Sequence, residues 1–245
     1  MTLRIGIAGI TGRMGILLAE EVRRAGLELA GGIGGSGDIG ALARSCDSVV
    51  DFTNARAAQT HAAALAEAGT GWILGTSGLS AADEAAVRAA AERIAVVYAA
   101  NFSPGATLIM ALAERMAASL PAAAYDAEIV EMHHRQKVDA PSGTALGIGR
   151  AVAKGRGVTL ESVMEPARHG HTGARRTGAI GFAALRGGQV VGEHTLIFAA
   201  ADEQIALTHR AFDRRAFAVG AVRAAIWAAG QPAGLYAMED VLGLR

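Results

Sequence analysis

The stretch Leu3-Arg4-Ile5-Gly6-Ile7-Ala8, followed at once by Gly9-Ile10-Thr11-Gly12-Arg13-Met14-Gly15 and then by an amphipathic run over residues 16–25, decides the fold. A short apolar run ahead of a glycine-rich turn reads as a buried strand. The run after it, closed by Gly26, reads as a helix with glycine just past its end. Glycines at 9, 12 and 15 let the backbone approach a pyrophosphate, and N–H groups at a helix start receive its charge. With 32 glycines in 245 residues, this spacing arises by chance about 0.5 times per chain, so its place at the first strand–helix turn carries more weight than the pattern.

Outward from this turn, the first half alternates strand-like runs (27–32, 49–53, 72–74, 94–98) with helical ones (55–68, 80–93). Ser80 with Asp83 reads as a capping box for the last of these helices. Short buried strands alternating with helices predict an α/β fold, a Rossmann-type doubly wound parallel sheet with helices on both faces. Ligands in such sheets sit at the C-terminal ends of the strands. Three loops fall there: residues 9–15, Gly75-Thr76-Ser77-Gly78 and Asn101-Phe102-Ser103-Pro104-Gly105.

The second half changes character. It reads as a helix over 106–120 stopped by Pro121, a strand over 128–132, and a helix opened by Ser142-Gly143-Thr144. Runs at 180–185 and 190–198, joined through Gly187-Gly188, predict an antiparallel hairpin. A strand at 204–209, a helix at 215–229 and a short tail follow. The expectation is a dinucleotide-binding domain of residues 1–104 plus 216–245, and an α+β second domain of residues 105–215.

Lys+Arg and Asp+Glu are both 23. Zero formal charge argues against a general nucleic-acid binder, which needs a basic excess. Cys46 is the only cysteine, which excludes an intrachain disulfide and a cysteine-rich zinc site and fits a reducing compartment. Mean hydropathy is +0.29, yet no run reaches the ~20 apolar residues of a membrane span. The N-terminal residues lack a signal-peptide pattern. A cytoplasmic enzyme with a small-molecule substrate, and neither nucleic-acid nor membrane partners, is expected.

Glu131-Met132-His133-His134-Arg135-Gln136-Lys137-Val138-Asp139-Ala140-Pro141-Ser142-Gly143-Thr144 is the richest segment. It places two histidines, an arginine and one of only two lysines within five residues, just ahead of a helix start. Cations beside a helix N-terminus make an anion pocket. His169-Gly170-His171 lacks the acidic or cysteine partners of a zinc site, and no metal is expected. Cys46 reads as structural, and Asp47 and Asp51 as strand-end or surface acids. No carboxylate ends the second strand, where Gly34 and Gly35 stand; Asp38 lies a little beyond. From the residues alone, a dehydrogenase of amino or imino acids, a dinucleotide sensor and a histidine-based metal hydrolase all remain open.

Residues 131–145 resemble the signature of the dihydrodipicolinate reductase family, E-x-H-H-x-x-K-x-D-x-P-S-G-T-A, throughout. Gly9-x-x-Gly12-Arg13-Met14-Gly15, Gly75-Thr76-Ser77-Gly78 and Ala100-Asn101-Phe102-Ser103 are similar to the family's nucleotide loops. Gly170-His171-Thr172-Gly173 and Val191-Gly192-Glu193-His194-Thr195 resemble later segments. The resemblance implies reduction of a cyclic imine dicarboxylate by NADH or NADPH in lysine biosynthesis, in a Rossmann-type protein with a substrate and oligomerisation domain, usually a homotetramer. It implies that His133 is the general acid. His134 and Lys137 bind substrate, with Lys137 also a proton donor, and Ser142, Gly143 and Thr144 hold a carboxylate. Cofactor contacts fall to Gly9, Ile10, Thr11, Gly12, Arg13, Met14, Gly75, Thr76, Ser77, Ala100, Asn101, Phe102 and Ser103. Gly34 and Gly35 stand where other members carry an acidic residue, often followed by a basic one, which leaves the choice between NADH and NADPH open.

Overall fold

The computed structural model describes residues 2–245. The chain divides into two compact units, one running to Pro104 and resuming at Arg214, the other spanning Gly105–Asp213. In the first, β1 (Arg4–Ala8), α1 (Arg13–Arg24), β2 (Glu28–Ile33), α2 (Ile39–Ser45), β3 (Ser48–Asp51), α3 (Ala58–Ala68), β4 (Gly71–Leu74), α4 (Ala81–Ala91) and β5 (Ala95–Tyr98) alternate, with a 3-10 turn (Ala55–Ala57) before α3. α5 (Pro104–Ser119) opens at the boundary. The second unit continues with β6 (Asp126–His133), α6 (Gly143–Gly155), α7 (Leu160–Val163), β7 (Met164–Glu165), β8 (Ile180–Arg186), β9 (Gly192–Ala199) and β10 (Gln204–Ala211). α8 (Arg215–Ala228), β11 (Gly234–Tyr236) and α9 (Met238–Val241) belong to the first unit again.

The first unit holds a six-stranded parallel sheet in the order β11-β5-β4-β3-β1-β2. Every residue of β3 is buried, as a strand covered on both faces requires. One apolar cluster packs β1, β3 and β5 against α1 and α8, and another packs the opposite face against α2, α3 and α4. The strand order reverses between β3 and β1, the switch point at which such sheets bind ligands. Residues past the last long helix, read above as a tail, supply β11 along the edge of β5. A three-residue strand carries too little pattern to stand out in a sequence.

The second sheet runs β10-β9-β6-β8-β7 and is mixed. The expected hairpin between β8 and β9 is not formed: β6 lies between them, parallel to β8 and antiparallel to β9. Gly187 and Gly188 therefore cross over the end of β6. The Gly187 N–H donates to the His133 carbonyl (3.0 Å), and the Arg135 N–H donates to that of Gly188 (3.3 Å). The glycines signal a turn correctly, but its width depends on a strand some fifty residues earlier. One face of this sheet packs Ala127, Ile129, Phe182, Leu196 and Phe198 under α5 and α6. Alternate residues on the other face, such as Val130, Met132 and Ile197, are half-buried.

α8 approaches the loop after β5 so closely that a Cβ at Gly220 would lie 1.7 Å from the Phe102 carbonyl oxygen. Gly220→Ala is expected to lower stability by about 1–3 kcal/mol through overpacking. Thermal or urea unfolding checks this, and wild-type stability would show that the helix shifts freely.

Candidate active site

A glycine-lined cradle is built where β1 turns into α1. Gly9 has φ +89°, and a Cβ at Gly15 would lie 2.1 Å from the Gly9 oxygen. Both positions thus require glycine, one for conformation and one for the close approach of helix to strand. The N–H groups of Gly9 and Ile10 donate to the Ile33 carbonyl (2.9 and 3.1 Å), tying the turn to the end of β2. α1 has no side-chain cap and no acidic residue in its first turn, so its positive end is open to an anion. Gly75 gives way to the ring of Phe52, which packs tilted against Phe102 at 5.6 Å between centroids. Asn101 accepts from the Ser103 N–H (2.8 Å), and the Thr76 hydroxyl is buried without a hydrogen-bond partner. A glycine cradle and an uncapped helix after β1, with an orphaned hydroxyl after β4, fit a dinucleotide.

Asp51 shapes the turn after β3. It is fully buried and accepts from the Thr53 N–H (3.1 Å), the Thr53 hydroxyl (2.7 Å), His61 Nδ1 (2.7 Å) and Trp72 Nε1 (3.2 Å). That array is structural, and Asp47 pairs with Arg4 at 2.6 Å. Asp38 is engaged as the cap of α2, accepting from the Ala41 N–H at 3.1 Å. Burial pushes the Cys46 thiol up to about 11, consistent with an unreactive core side chain.

A second cluster lies at the C-terminal end of β6. The core-facing residues of this strand alternate Ala127, Ile129, Glu131, His133, so the inward row turns from apolar to ionisable at its last two positions. Glu131 is only 1 % exposed. Its oxygens accept two hydrogen bonds from the Arg186 guanidinium (both 2.8 Å), one from the Ser142 N–H (3.1 Å) and one from His133 Nδ1 (2.6 Å). Burial alone would raise its pKa, but these donors outweigh burial and hold it below the usual carboxylate range.

Ser142 caps α6, its hydroxyl oxygen accepting from the Ala145 N–H (3.2 Å) and lying 3.0 Å from His194 Nε2. His194 stands opposite Glu131 on β9, and its ring meets that of His133 edge-on at 5.0 Å. Burial depresses His133, with Lys137 and Arg186 adding to the effect and Glu131 opposing it. Lys137 pairs with the exposed Asp139 at 2.9 Å, a partner that an incoming carboxylate can replace. His134 follows the strand end, and its buried Nδ1 lacks a partner.

His133, Lys137 and Ser142 are thus gathered around one cluster, with Gly143 and Thr144 forming the first turn of the helix that Ser142 caps. Sequence reading missed Arg186, His194 and Phe52. Nothing in a linear pattern says that Arg186 will lie beside His133 on β8, as strand pairing places it. His169 and His171 lie in an exposed loop, and among the described residues no group of three or more His, Cys, Asp or Glu is placed to hold a metal. No helix among them is long and apolar enough to cross a membrane.

A Rossmann-type unit joined to a mixed-sheet unit that ends in a histidine–carboxylate cluster defines a class of two-unit, nicotinamide-dependent oxidoreductases. Family models narrow the class: residues 3–102 match "Dihydrodipicolinate reductase, N-terminus" and residues 105–242 match "Dihydrodipicolinate reductase, C-terminus". The 4-hydroxy-tetrahydrodipicolinate reductase of Granulibacter bethesdensis is 63% identical over 256 residues, covering 100% of this chain and 98% of its own. That of Gluconacetobacter diazotrophicus is 64% identical over 250 residues, covering 99% and 98%. In structure, the dipicolinate-bound dihydrodipicolinate reductase of Paenisporosarcina sp. TG-14 is similar in fold, with a TM-score of 0.78 at 23% identity over 97% of this chain and 98% of that one. The chain belongs to the dihydrodipicolinate reductase family.

Burial, with His133 and His209 nearby, holds His194 down at about 4. An unfolded histidine titrates near 6.5, so the unfolded chain binds this proton first. The stabilisation is full above about pH 6.5 and is lost as pH falls toward 4, by roughly 3 kcal/mol. Unfolding curves at pH 7.5 and 4.5 are expected to differ more for wild type than for His194→Gln. Equal pH sensitivity would remove His194 as the cause.

Proposed function

We propose that this enzyme reduces 4-hydroxy-tetrahydrodipicolinate to tetrahydrodipicolinate in diaminopimelate and lysine biosynthesis, using NADH or NADPH. The observation that carries the reading is the cluster of His133, Glu131 and Ser142 beside Lys137, in a chain with full-length relatives named for this activity. In this reading the first unit is the dinucleotide-binding domain and the second is the substrate and oligomerisation domain. Gly9, Ile10, Thr11, Gly12, Arg13 and Met14 cradle the pyrophosphate. Gly75, Thr76, Ser77, Ala100, Asn101, Phe102 and Ser103 complete the cofactor site. When bound, the nicotinamide supplies a hydride.

The reaction consumes that hydride and one proton and releases the substrate hydroxyl as water. His133 is the catalytic acid. Burial disfavours its charged form, and a dianionic substrate beside the ring restores it. Lys137 exchanges Asp139 for a substrate carboxylate or supplies a proton. His134 and the helix start at Ser142, Gly143 and Thr144 bind the remaining polar groups. The mixed sheet's face without a helix, carrying Val130, Met132 and Ile197, supports assembly of the homotetramer that we propose. The single buried thiol of Cys46 suits the reducing cytoplasm, where we place the enzyme.

An assay following nicotinamide oxidation, with the substrate generated in situ, tests the activity. His133→Gln is expected to lower kcat by about 10²–10⁴-fold with a smaller effect on substrate binding. Unchanged turnover would remove His133 from the acid role.

The adenosine end carries little charge discrimination. Gly34 lies beside the Thr11 hydroxyl, and the Asp38 carboxylate is engaged as a helix cap. We expect kcat/KM for NADH and NADPH to agree within about tenfold, or 1.4 kcal/mol. Measured at fixed ionic strength, a ratio above about a hundredfold would mean that a charged group reads the ribose.

A further inference from the structure

Glu131 is a fully engaged carboxylate with no direct part in the reaction just described. Its four hydrogen bonds divide between two tasks. Oε2 takes His133 Nδ1, while Oε1 takes the Ser142 N–H at the head of α6, and Arg186 bonds both oxygens. Because Arg186 keeps the carboxylate ionised, it can only accept, so His133 Nδ1 must be the donor. The other ring nitrogen is then the one free to exchange a proton. It lies beside Gly192, where a Cβ would stand 3.0 Å from Nε2, so only a residue without a side chain fits against that edge of the ring.

We propose that Glu131 is a positioning residue: it holds His133 through Nδ1 so that Nε2, over Gly192, delivers the proton, and through Ser142 it sets the same ring against the anion-binding start of α6. The inference rests on His133 as the acid of the proposed reaction. It names the atom that acts and the group that orients it. Arg186 also donates to the Asp139 carbonyl (2.6 Å), so the Lys137–Asp139 loop hangs from the same carboxylate through one guanidinium.

The charged and titratable groups around His133 come from each neighbouring element: Glu131 on β6, Arg186 on β8, His194 on β9 with His209 stacked behind it, and Lys137 on the loop. Glu131 favours the imidazolium and Arg186 opposes it. Removing them therefore moves His133 in opposite directions. Glu131→Gln is expected to lower its pKa, whereas Arg186→Gln is expected to raise it, by removing a cation and leaving the carboxylate less shared. Loosening of the site by either substitution would instead relieve burial and raise the pKa in both variants.

The test uses the full chain labelled with ¹⁵N-histidine. In wild type above the pKa of His133, long-range proton–nitrogen spectra are expected to show the proton on Nδ1 and a bare Nε2. Titration of both variants then reads the two shifts. In kinetics, Glu131→Gln is expected to lower kcat by up to about 10²-fold, within the range of general acid catalysis. The activity limb that depends on protonated His133 is expected to move to lower pH. An Nε2–H tautomer in wild type, or shifts of the same sign in both variants, would overturn the proposal. The spectra need no substrate and decide the orientation of His133 on their own. Inactivity of wild type on 4-hydroxy-tetrahydrodipicolinate would instead overturn the proposed reaction, so the two failures are distinguishable.

Discussion

A carboxylate buried at the end of a strand is costly unless every lone pair finds a donor. Glu131 meets that condition through an arginine from β8, a backbone N–H from α6 and the histidine two residues along its own strand. Each donor belongs to a different part of the second unit, so satisfying one side chain fixes the meeting point of two strands and a helix. In the proposed reaction the geometry at the acid follows from this requirement: the His133 ring is held by its bond to Glu131, and the helix start by that of the Ser142 N–H.

The first unit repeats the device with different chemistry. Asp51 ends β3 fully buried, and its donors from Thr53, His61 and Trp72 hold the turn at Phe52. The Phe52 carbonyl stands 3.1 Å from where a Cβ on Gly9 would lie. The Gly9 turn thus leans on a buried polar array. In both units a strand carries, at or near its end, a buried acid each of whose oxygens takes two donors.

Much of this was legible from residue order. The strand–helix alternation, the turn at Gly9–Gly15 and the capping box of Ser80 and Asp83 are local patterns, and local sterics and hydrogen bonds decide them. The segment from Glu131 to Thr144 was legible because its residue types are rare in this composition. What escaped was non-local. The two glycines at 187 and 188 promise a turn, but whether it closes a tight hairpin or crosses another strand depends on where β6 inserts. Nothing in the residue order singles out Arg186; the parallel pairing of β6 and β8 brings it to Glu131. Asp51 reads as an ordinary strand-end acid because two of its partners, His61 and Trp72, come from other segments.

The return of the chain to its first sheet has a consequence for synthesis on the ribosome. Until α8 and β11 emerge, β5 is an open edge and the cluster beneath α8 lacks its cover. At about 5–20 residues per second, the interval between residues 104 and 241 lasts roughly 7 to 27 s. The intervening segment, whose sheet uses only its own residues, becomes available in full before the first unit does. The nascent protein therefore carries an unpaired strand edge for seconds, the kind of surface that invites mispairing between neighbouring chains on one message.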